Sequence, residues 1–268
     1  MKGKGRFFLN FIVAAAFAVI VIASFFSVFS VADVKMRVSA GENGVFYARE
    51  AKKELEKFRG KSLLFLDMDE VAATLAAYPY LEVDKLEKFY PNAIVAEVSE
   101  RREIFLFESG GDEYVLDGFG FVLAKNPAEE KSLIRLYASD MEGNAIPATF
   151  AEVGQTLRAE DGGILSLVYS MSEIAAYTDN VSAIEVKYGA IGGEVLMDEV
   201  VFHMRTGVEI WAYSVFDDGT DKMKKAMEVY EKTSDYNKGM NYIVVNKANG
   251  EIVAYYTREN PMSATSSH

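Results

Sequence analysis

Three short segments contain residue types that occur in catalytic or ligand-binding motifs. The first, Gly60-Lys61-Ser62, matches the end of the phosphate-binding loop of nucleotide hydrolases. In that loop, backbone N–H groups and the lysine hold the phosphates, and a further glycine stands five positions before the last one. Leu55 occupies that position here, inside a predicted helix. The segment therefore does not predict a nucleotide site.

The second segment is acidic and contains Asp67, Asp69 and Glu70. Neighbouring carboxylates can bind a divalent cation. Acidic side chains are also common at the start of helices, because they accept hydrogen bonds from free N–H groups and suit the helix dipole. Since Glu70–Ala77 has a helical pattern, we interpret Asp67 or Asp69 as its N-cap and predict no metal site.

The third segment, Arg205-Thr206-Gly207, is similar to the Lys-Thr-Gly element of penicillin-binding enzymes, but no serine in the chain has lysine three residues later. Without that serine, we interpret Thr206-Gly207 as a turn between two strands. We interpret His203, which lies in one of these strands, as a partly buried structural residue. The chain has no cysteine, which excludes thiolate metal sites and disulfides. Because no nucleophile, base and oxyanion donor come together, we predict no enzyme and no cofactor.

A long apolar run at the N-terminus predicts a membrane anchor. Phe7 to Ala32 contain no charge and follow Lys2, Lys4 and Arg6. About 26 helical residues span about 39 Å, more than the roughly 30 Å that a hydrocarbon core requires. The basic residues favour a cytoplasmic N-terminus, so we predict a cytoplasmic tail at 1–6, a transmembrane helix at 7–32 that contacts the bilayer, and an extracytoplasmic remainder.

The alternative for this run is a signal peptide that is cleaved after Ala32, since Ser30 and Ala32 are small. The run is longer than the usual apolar region of a signal, which favours the uncleaved anchor. All 40 acidic residues follow the run, as do all but three of the 28 basic residues. This acidic part would repel phosphate backbones, so we predict no nucleic-acid partner and expect proteins as partners.

Apolar periodicity predicts a strand–helix–helix–strand–strand unit over 33–102. Its two closing strands flank Pro91-Asn92, a turn signal. The predicted elements are the strand Val34–Ala40, the helices Tyr47–Phe58 and Glu70–Ala77, and the strands Leu81–Phe89 and Ile94–Val98.

From 103 to 257 the pattern predicts a mostly antiparallel β domain with two helices, and a disordered tail follows at 258–268. Asn249-Gly250 is a strong two-residue hairpin signal. The predicted helices are Gly163–Tyr177 and Asp221–Thr233. The predicted strands are Ile104–Phe107, Tyr114–Leu116, Phe121–Leu123, Ile134–Tyr137, Val181–Tyr188, Glu194–Met197, Val200–Met204, Glu209–Tyr213, Asn241–Val245 and Glu251–Tyr256. The fold class is therefore α+β.

Two stretches carry a family resemblance. The first resembles the pattern that closes the POTRA domain in the bacterial division proteins FtsQ and DivIB. It consists of Tyr78-Pro79-Tyr80-Leu81, Pro91, Ile94, Val95, Val98 and Glu100-Arg101. Tyr114-Val115-Leu116-Asp117-Gly118-Phe119-Gly120 is similar to the hairpin that opens their β domain. The chain departs from the family at Arg102-Glu103, where a proline is frequent, and residues 126–149 do not align.

The resemblance covers about Met1 to Tyr256 and implies a non-catalytic scaffold of the divisome. Such a protein is anchored in the plasma membrane, lies at the division septum and binds division proteins of the FtsL and DivIC/FtsB type. Through them it helps to control septal peptidoglycan synthesis. In this family the β domain is thought to accept a partner strand at the edge near its C-terminus.

The last predicted hairpin is the candidate partner-binding site, because a terminal hairpin leaves one strand with unpaired N–H and C=O groups. The alternative is that it only completes the core. Alternate positions of its two strands are candidates, namely Tyr242, Val244 and Asn246, then Ile252, Ala254 and Tyr256. The intervening Val253 and Tyr255 of the last strand are candidates as well.

Two other classes of function compete with the scaffold. POTRA units also occur in envelope-assembly and secretion factors, which usually carry several copies ahead of a membrane barrel. This chain has one such unit and an N-terminal helix. A secreted hydrolase with an unrecognised site is the third class, and it would be released after Ala32.

Overall fold

The structure, a computed structural model, divides into two compact units, Met1–Arg101 and Arg102–His268. It describes residues 2–39, 42–128, 132–140, 142–145, 152–157, 164–175, 179–191, 194–215, 218–233 and 242–261. Most of the predicted tail, residues 262–268, lies outside the described residues.

Helix α1, Lys2–Val28, is long and apolar enough to cross a membrane, and no residue of its segment Phe11–Val28 is buried. The predicted helix extended to Ala32 and is too long by four residues. The reason is tertiary: Val31 is buried, its N–H donates to the Lys61 carbonyl at 2.9 Å, and its own carbonyl accepts from the Gly60 N–H at 2.9 Å. Val31 therefore pairs with the following domain instead of continuing the helix.

The rest of the first unit has the predicted order of strand, helix, helix, strand, strand. Its sheet has the order β1-β3-β2, with β1 parallel and β2 antiparallel to the central β3. The helices cover one face, where Leu55, Phe58, Leu63, Leu75 and Ile94 are fully buried. The elements are β1 (Asp33–Val38), α2 (Glu42–Leu55) with a 3₁₀ turn (Glu56–Phe58), α3 (Met68–Ala76), β2 (Leu81–Phe89) and β3 (Ala93–Glu100).

The predicted N-cap of the second helix is confirmed at Asp67. Its side chain accepts a hydrogen bond from the Asp69 N–H at 2.9 Å. The helix begins at Met68, two residues before the predicted start. The carboxylate of Asp67 thus satisfies one of the free N–H groups of the first turn, as a capping residue does.

Within the described residues, the second unit forms one sheet of nine strands in the order β12-β11-β10-β9-β8-β7-β4-β5-β6. Its strands are β4 (Phe105–Ser109), β5 (Asp112–Leu116), β6 (Val122–Lys125), β7 (Ile134–Asp140), β8 (Val181–Ile191), β9 (Glu194–Met204), β10 (Glu209–Tyr213), β11 (Tyr242–Ala248) and β12 (Glu251–Thr257). Two helices accompany them, α4 (Ile164–Ala175) and α5 (Gly219–Lys232).

Both helices pack on one face of this sheet. Met171 of α4 and Ala226 of α5 share a core with Phe107, Phe202 and Ile243 from the strands. The pairs β4–β7, β7–β8 and β10–β11 are parallel and the other described pairs are antiparallel. The predicted fold class, α+β with a mostly antiparallel sheet and two helices, is confirmed.

One pair of predicted strands is wrong. Glu194–Met197 and Val200–Met204 belong to a single strand, β9. The polar Asp198-Glu199 interrupts the apolar pattern in the sequence, but Glu199 remains in the ladder and pairs with Lys187 of β8. A register shift between Lys187 and Tyr188 absorbs the irregularity, as a β-bulge does.

Candidate partner-binding edge

The two edges of the nine-stranded sheet differ. At the β6 edge, the segment 152–157 lies alongside the strand: the Val122 N–H donates to the Gln155 carbonyl at 2.9 Å, and the Gly154 N–H donates to the Val122 carbonyl at 2.9 Å. At the opposite edge, β12 pairs with β11 alone among the described residues. Within that part of the chain, β12 is the open edge, and it is the second strand of the predicted hairpin.

The turn between β11 and β12 determines which backbone groups point outward. Asn249 and Gly250 both have positive φ, at 53° and 84°, which is the conformation of a type I′ turn. In such a turn the carbonyl of the first residue accepts from the N–H of the fourth, so Ala248 and Glu251 form a hydrogen-bonded pair. This pair sets the phase of the whole ladder.

Hydrogen-bonded and non-bonded pairs alternate along an antiparallel ladder. Counting from Glu251, the backbone groups of Val253 and Tyr255 point toward β11. The backbone groups of Ile252, Ala254 and Tyr256 point away from it, toward the open edge. These three residues therefore carry the main-chain donors and acceptors that an added strand would pair with.

The side chains of β12 alternate in the same way. Ile252, Ala254 and Tyr256 are partly buried and pack against the core beneath the helices. Val253 and Tyr255 project from the opposite face and are 39% and 48% exposed. The strand thus combines core side chains with outward backbone groups at the same three positions.

The candidate residues of β11 have a different environment. Val244 is buried, while Tyr242 and Asn246 are partly exposed on the face of Val253 and Tyr255. Because β11 lies between β10 and β12, its backbone is paired on both sides. The structure therefore brings all eight candidates into one hairpin but leaves outward backbone groups only on β12.

The face that carries Val253 and Tyr255 also holds a polar cluster around Trp211. The indole Nε1 donates to Glu209 Oε2 at 3.0 Å, and the Lys187 ammonium lies 5.7 Å from the centre of the ring. Lys187 also pairs with Glu199 at 2.6 Å. Burial, with the charge of Glu199 nearby, raises the pKa of Tyr213 on this face to about 12. The cluster therefore lies on the face opposite to the one on which α4 and α5 pack.

His203 lies within reach of two carboxylates on this face. Its Nε2 is 3.1 Å from Glu185 Oε1, and its Nδ1 is 3.7 Å from Glu209 Oε1. Its side chain is 29% exposed. Among the described residues, no group of three or more histidine, aspartate and glutamate side chains could hold a metal ion.

Residues of the segments Gly60-Lys61-Ser62 and Arg205-Thr206-Gly207 make contacts within the protein. Lys61 pairs with Glu70 at 3.4 Å, and Thr206-Gly207 forms a turn in which the Gly207 N–H donates to the Met204 carbonyl at 2.9 Å. The Thr206 hydroxyl also lies 2.7 Å from that of Tyr230.

Lys222 is a buried residue that sequence reasoning missed. Only 1% of it is exposed, and its Nζ donates to the carbonyls of Tyr213 at 3.0 Å and Ser214 at 2.6 Å. Tyr213 is the last residue of β10 and Ser214 follows it, so the ammonium links α5 to the end of that strand. The signal was its position: Lys222 precedes Met223 and stands four residues before Ala226, at the spacing of the buried face.

Comparison with solved structures finds similar chains. No family model and no curated protein matches the chain. The chain is similar to the solved major extracytoplasmic domain of the bacterial cell division protein DivIB from Geobacillus stearothermophilus, in its trans isomer. The match covers 51% of this chain and 99% of that domain, with 16% sequence identity and a TM-score of 0.28.

Proposed function

We propose that this protein is a non-catalytic, membrane-anchored scaffold of the bacterial divisome. In this proposal α1 crosses the plasma membrane with its basic N-terminus in the cytoplasm, and the residues after it lie outside. The unit before Arg102 acts as a POTRA domain, and the sheet of the second unit binds division proteins of the FtsL and DivIC/FtsB type. Through these partners the protein helps to control septal peptidoglycan synthesis.

The motifs described above support the family assignment, and the order of elements is consistent with it. An apolar helix of spanning length is followed by a strand–helix–helix–strand–strand unit and then by a sheet that ends in a hairpin. Glu100-Arg101 stands at the end of the first unit, where the resemblance to the POTRA pattern ends.

The observation that carries the partner-binding proposal is the open edge of β12. The outward backbone groups of Ile252, Ala254 and Tyr256 offer a template for an added strand, whose main-chain hydrogen bonds supply affinity. The exposed Val253 and Tyr255 beside them offer contacts for side chains of that strand. Edge strands that are neither covered nor charged tend to pair with another chain, and this one is uncovered among the described residues.

A fluorescent fusion to the cytoplasmic N-terminus tests the proposal in dividing cells. We expect a band at midcell that appears as the cell constricts. A uniform membrane signal would contradict the division role and favour the envelope-assembly alternative. Label retained in the cell while the remainder is released into the medium would mean that α1 is a cleaved signal, as the secreted-hydrolase alternative requires.

A further inference from the structure

The end of α1 is joined to the following domain without a flexible linker. The Phe29 carbonyl accepts from the Leu63 N–H at 2.7 Å, and the Ala32 N–H donates to the Asn92 carbonyl at 2.8 Å. Together with the two bonds of Val31, these contacts hold the end of the helix against two loops of the first unit. The orientation of these loops to the helix axis is therefore fixed by the backbone.

Both loops place large exposed aromatic side chains beside the helix end. In the first loop Phe65 is 77% exposed, although Leu63 and Leu66 on either side of it are buried. The loop is thus anchored in the core while Phe65 projects from it. In the second loop Phe89 and Tyr90 are 54% and 52% exposed.

The rings of Phe65 and Tyr90 contact aromatic residues in the apolar helix and directly after it. The ring of Phe65 lies 6.2 Å from that of Phe26, and the ring of Tyr90 lies 6.2 Å from that of Phe29. Phe25 adds a further contact with Phe29 at 4.7 Å. The helix end and the two loops therefore form one continuous aromatic surface.

The length of the helix sets the level of this surface in a bilayer. A hydrocarbon core of about 30 Å takes about 20 helical residues at 1.5 Å each. Counted from Phe7, which follows the last basic residue of the tail, that span ends near Phe26. The ring of Phe65, which contacts Phe26, then lies at the outer boundary between hydrocarbon and headgroups.

Two lysines give the surface the amphipathic character of an interfacial site. Lys88 donates to the Leu64 carbonyl at 3.2 Å and so links the loops, while Lys35 lies 5.4 Å from the centre of the Phe89 ring. Aromatic side chains concentrate at the level of the headgroups, where long lysines also keep their ammonium groups in water. Here the Lys35 ammonium lies beside the exposed ring of Phe89, and that of Lys88 lies at the loop that carries Phe65.

We propose that the loops carrying Phe65 and Tyr90 are inserted in the interface between membrane and water, on the extracytoplasmic side of the membrane that α1 crosses. The occupant of the aromatic surface is the lipid bilayer, which continues onto it from the apolar face of α1. The first unit is then held against the membrane at a fixed angle. This inference rests on the proposed role of α1 as a membrane-spanning anchor.

The absence of cysteine from the chain makes a site-specific test available. The full-length variants Phe65→Cys and Tyr90→Cys are labelled with a nitrobenzoxadiazole dye and reconstituted in phosphatidylcholine vesicles. The matched control is Phe46→Cys. Phe46 is 57% exposed and lies at the other end of the β1–β3 pair, where Gly44 packs against Val38 and Glu100.

The readout is quenching by lipids that carry a spin label near the top of the acyl chain. Because the interface is the level of the aromatic belt, we expect about twofold quenching at positions 65 and 90 and no quenching at position 46. Protein that floats with the vesicles but whose labels at 65 and 90 are not quenched would overturn this inference and leave the anchor intact. Protein that does not float with the vesicles would contradict the anchor itself, and the inference with it.

Discussion

Ala254 lies directly opposite Val245 in the β11–β12 register, in a pair whose backbone groups point away from each other. The neighbouring pair, Asn246 and Val253, has the opposite phase, because the type I′ turn at Asn249-Gly250 makes Ala248 and Glu251 a bonded pair. Adjacent residues of one strand therefore differ in what proline does to them.

Ala254→Pro removes an outward N–H without breaking the β11 ladder. Proline is tolerated on an edge strand when its nitrogen faces solvent. We expect binding to partners of the FtsL and DivIC/FtsB type to weaken about tenfold or more, because a carbonyl of the added strand loses its donor. Biolayer interferometry on the full-length protein in detergent measures this effect.

Val253→Pro is the matched control for that experiment. Its nitrogen points toward β11, so it should lower the Tm of the protein by breaking a ladder bond. Unchanged affinity of Ala254→Pro, with its Tm retained, would show that partners do not add a strand at this edge.

Asp117 stabilises the turn between β5 and β6. It is buried, and its Oδ1 accepts from the N–H groups of Phe119 and Phe121, both at 2.8 Å. We expect Asp117→Ala to lower the free energy of unfolding by about 1–3 kcal/mol, because two partly buried N–H donors lose their carboxylate acceptor. Asp117→Asn keeps an acceptor oxygen and should lose less. Urea unfolding followed by circular dichroism measures both, and equal losses would contradict this role.

Lys222 should contribute more to the free energy of unfolding than the exposed lysines of the same helix. Lys222→Ala leaves the carbonyls of Tyr213 and Ser214 without this donor, so we expect a loss of about 2–4 kcal/mol in the free energy of unfolding. Lys224, whose side chain is 52% exposed, provides the control. Lys224→Ala should change the free energy of unfolding by about 0.5 kcal/mol or less. Similar effects of the two substitutions in thermal or urea unfolding would refute the distinction.

Alkaline pH should destabilise the second unit through Tyr213. Burial, together with the charge of Glu199, raises the pKa of Tyr213 to about 12. In the unfolded chain a tyrosine loses its proton near its usual pKa of about 10. The folded state thus binds the proton more tightly, and stability falls as the pH rises from about 10 to about 12.

Tyr213→Phe should reduce this alkaline loss of stability. Burial also raises the pKa of Tyr188, so part of the loss remains in the variant. Urea midpoints at about pH 8, where tyrosines of both states keep their protons, provide the reference. An identical decline in the midpoints of wild type and variant from pH 9 to pH 11 would contradict the assignment.

Elements that depend on a few neighbouring residues were predicted well. Asp67 is the predicted cap, Asn249-Gly250 is the predicted hairpin turn, and β10 begins and ends at the predicted residues. Each of these depends on the backbone preference of one or two residues or on a short alternation of side chains. Tertiary contacts reinforce such preferences and do not need to override them.

The residues at which prediction was incomplete depend on distant parts of the chain. Helix α1 ends at Val28 because Val31 finds hydrogen bonds with Gly60 and Lys61. Strand β9 continues through Asp198-Glu199 because β8 lies beside it. In both cases a contact with a distant part of the chain decided where the element ends, and the local sequence pattern indicated a different residue.

The sequence by itself determined the apolar helix, the order of the strands and helices along the chain, and the hairpin that ends the second unit. Only the tertiary structure decided that, among the described residues, β12 is an open edge while the edge of β6 is covered by the segment 152–157. It also decided that Lys222 is buried and that Phe65 lies beside Phe26. The physical reason is that periodicity encodes which face of an element is apolar, whereas the neighbour of an edge, a carbonyl or a ring depends on how the whole chain packs.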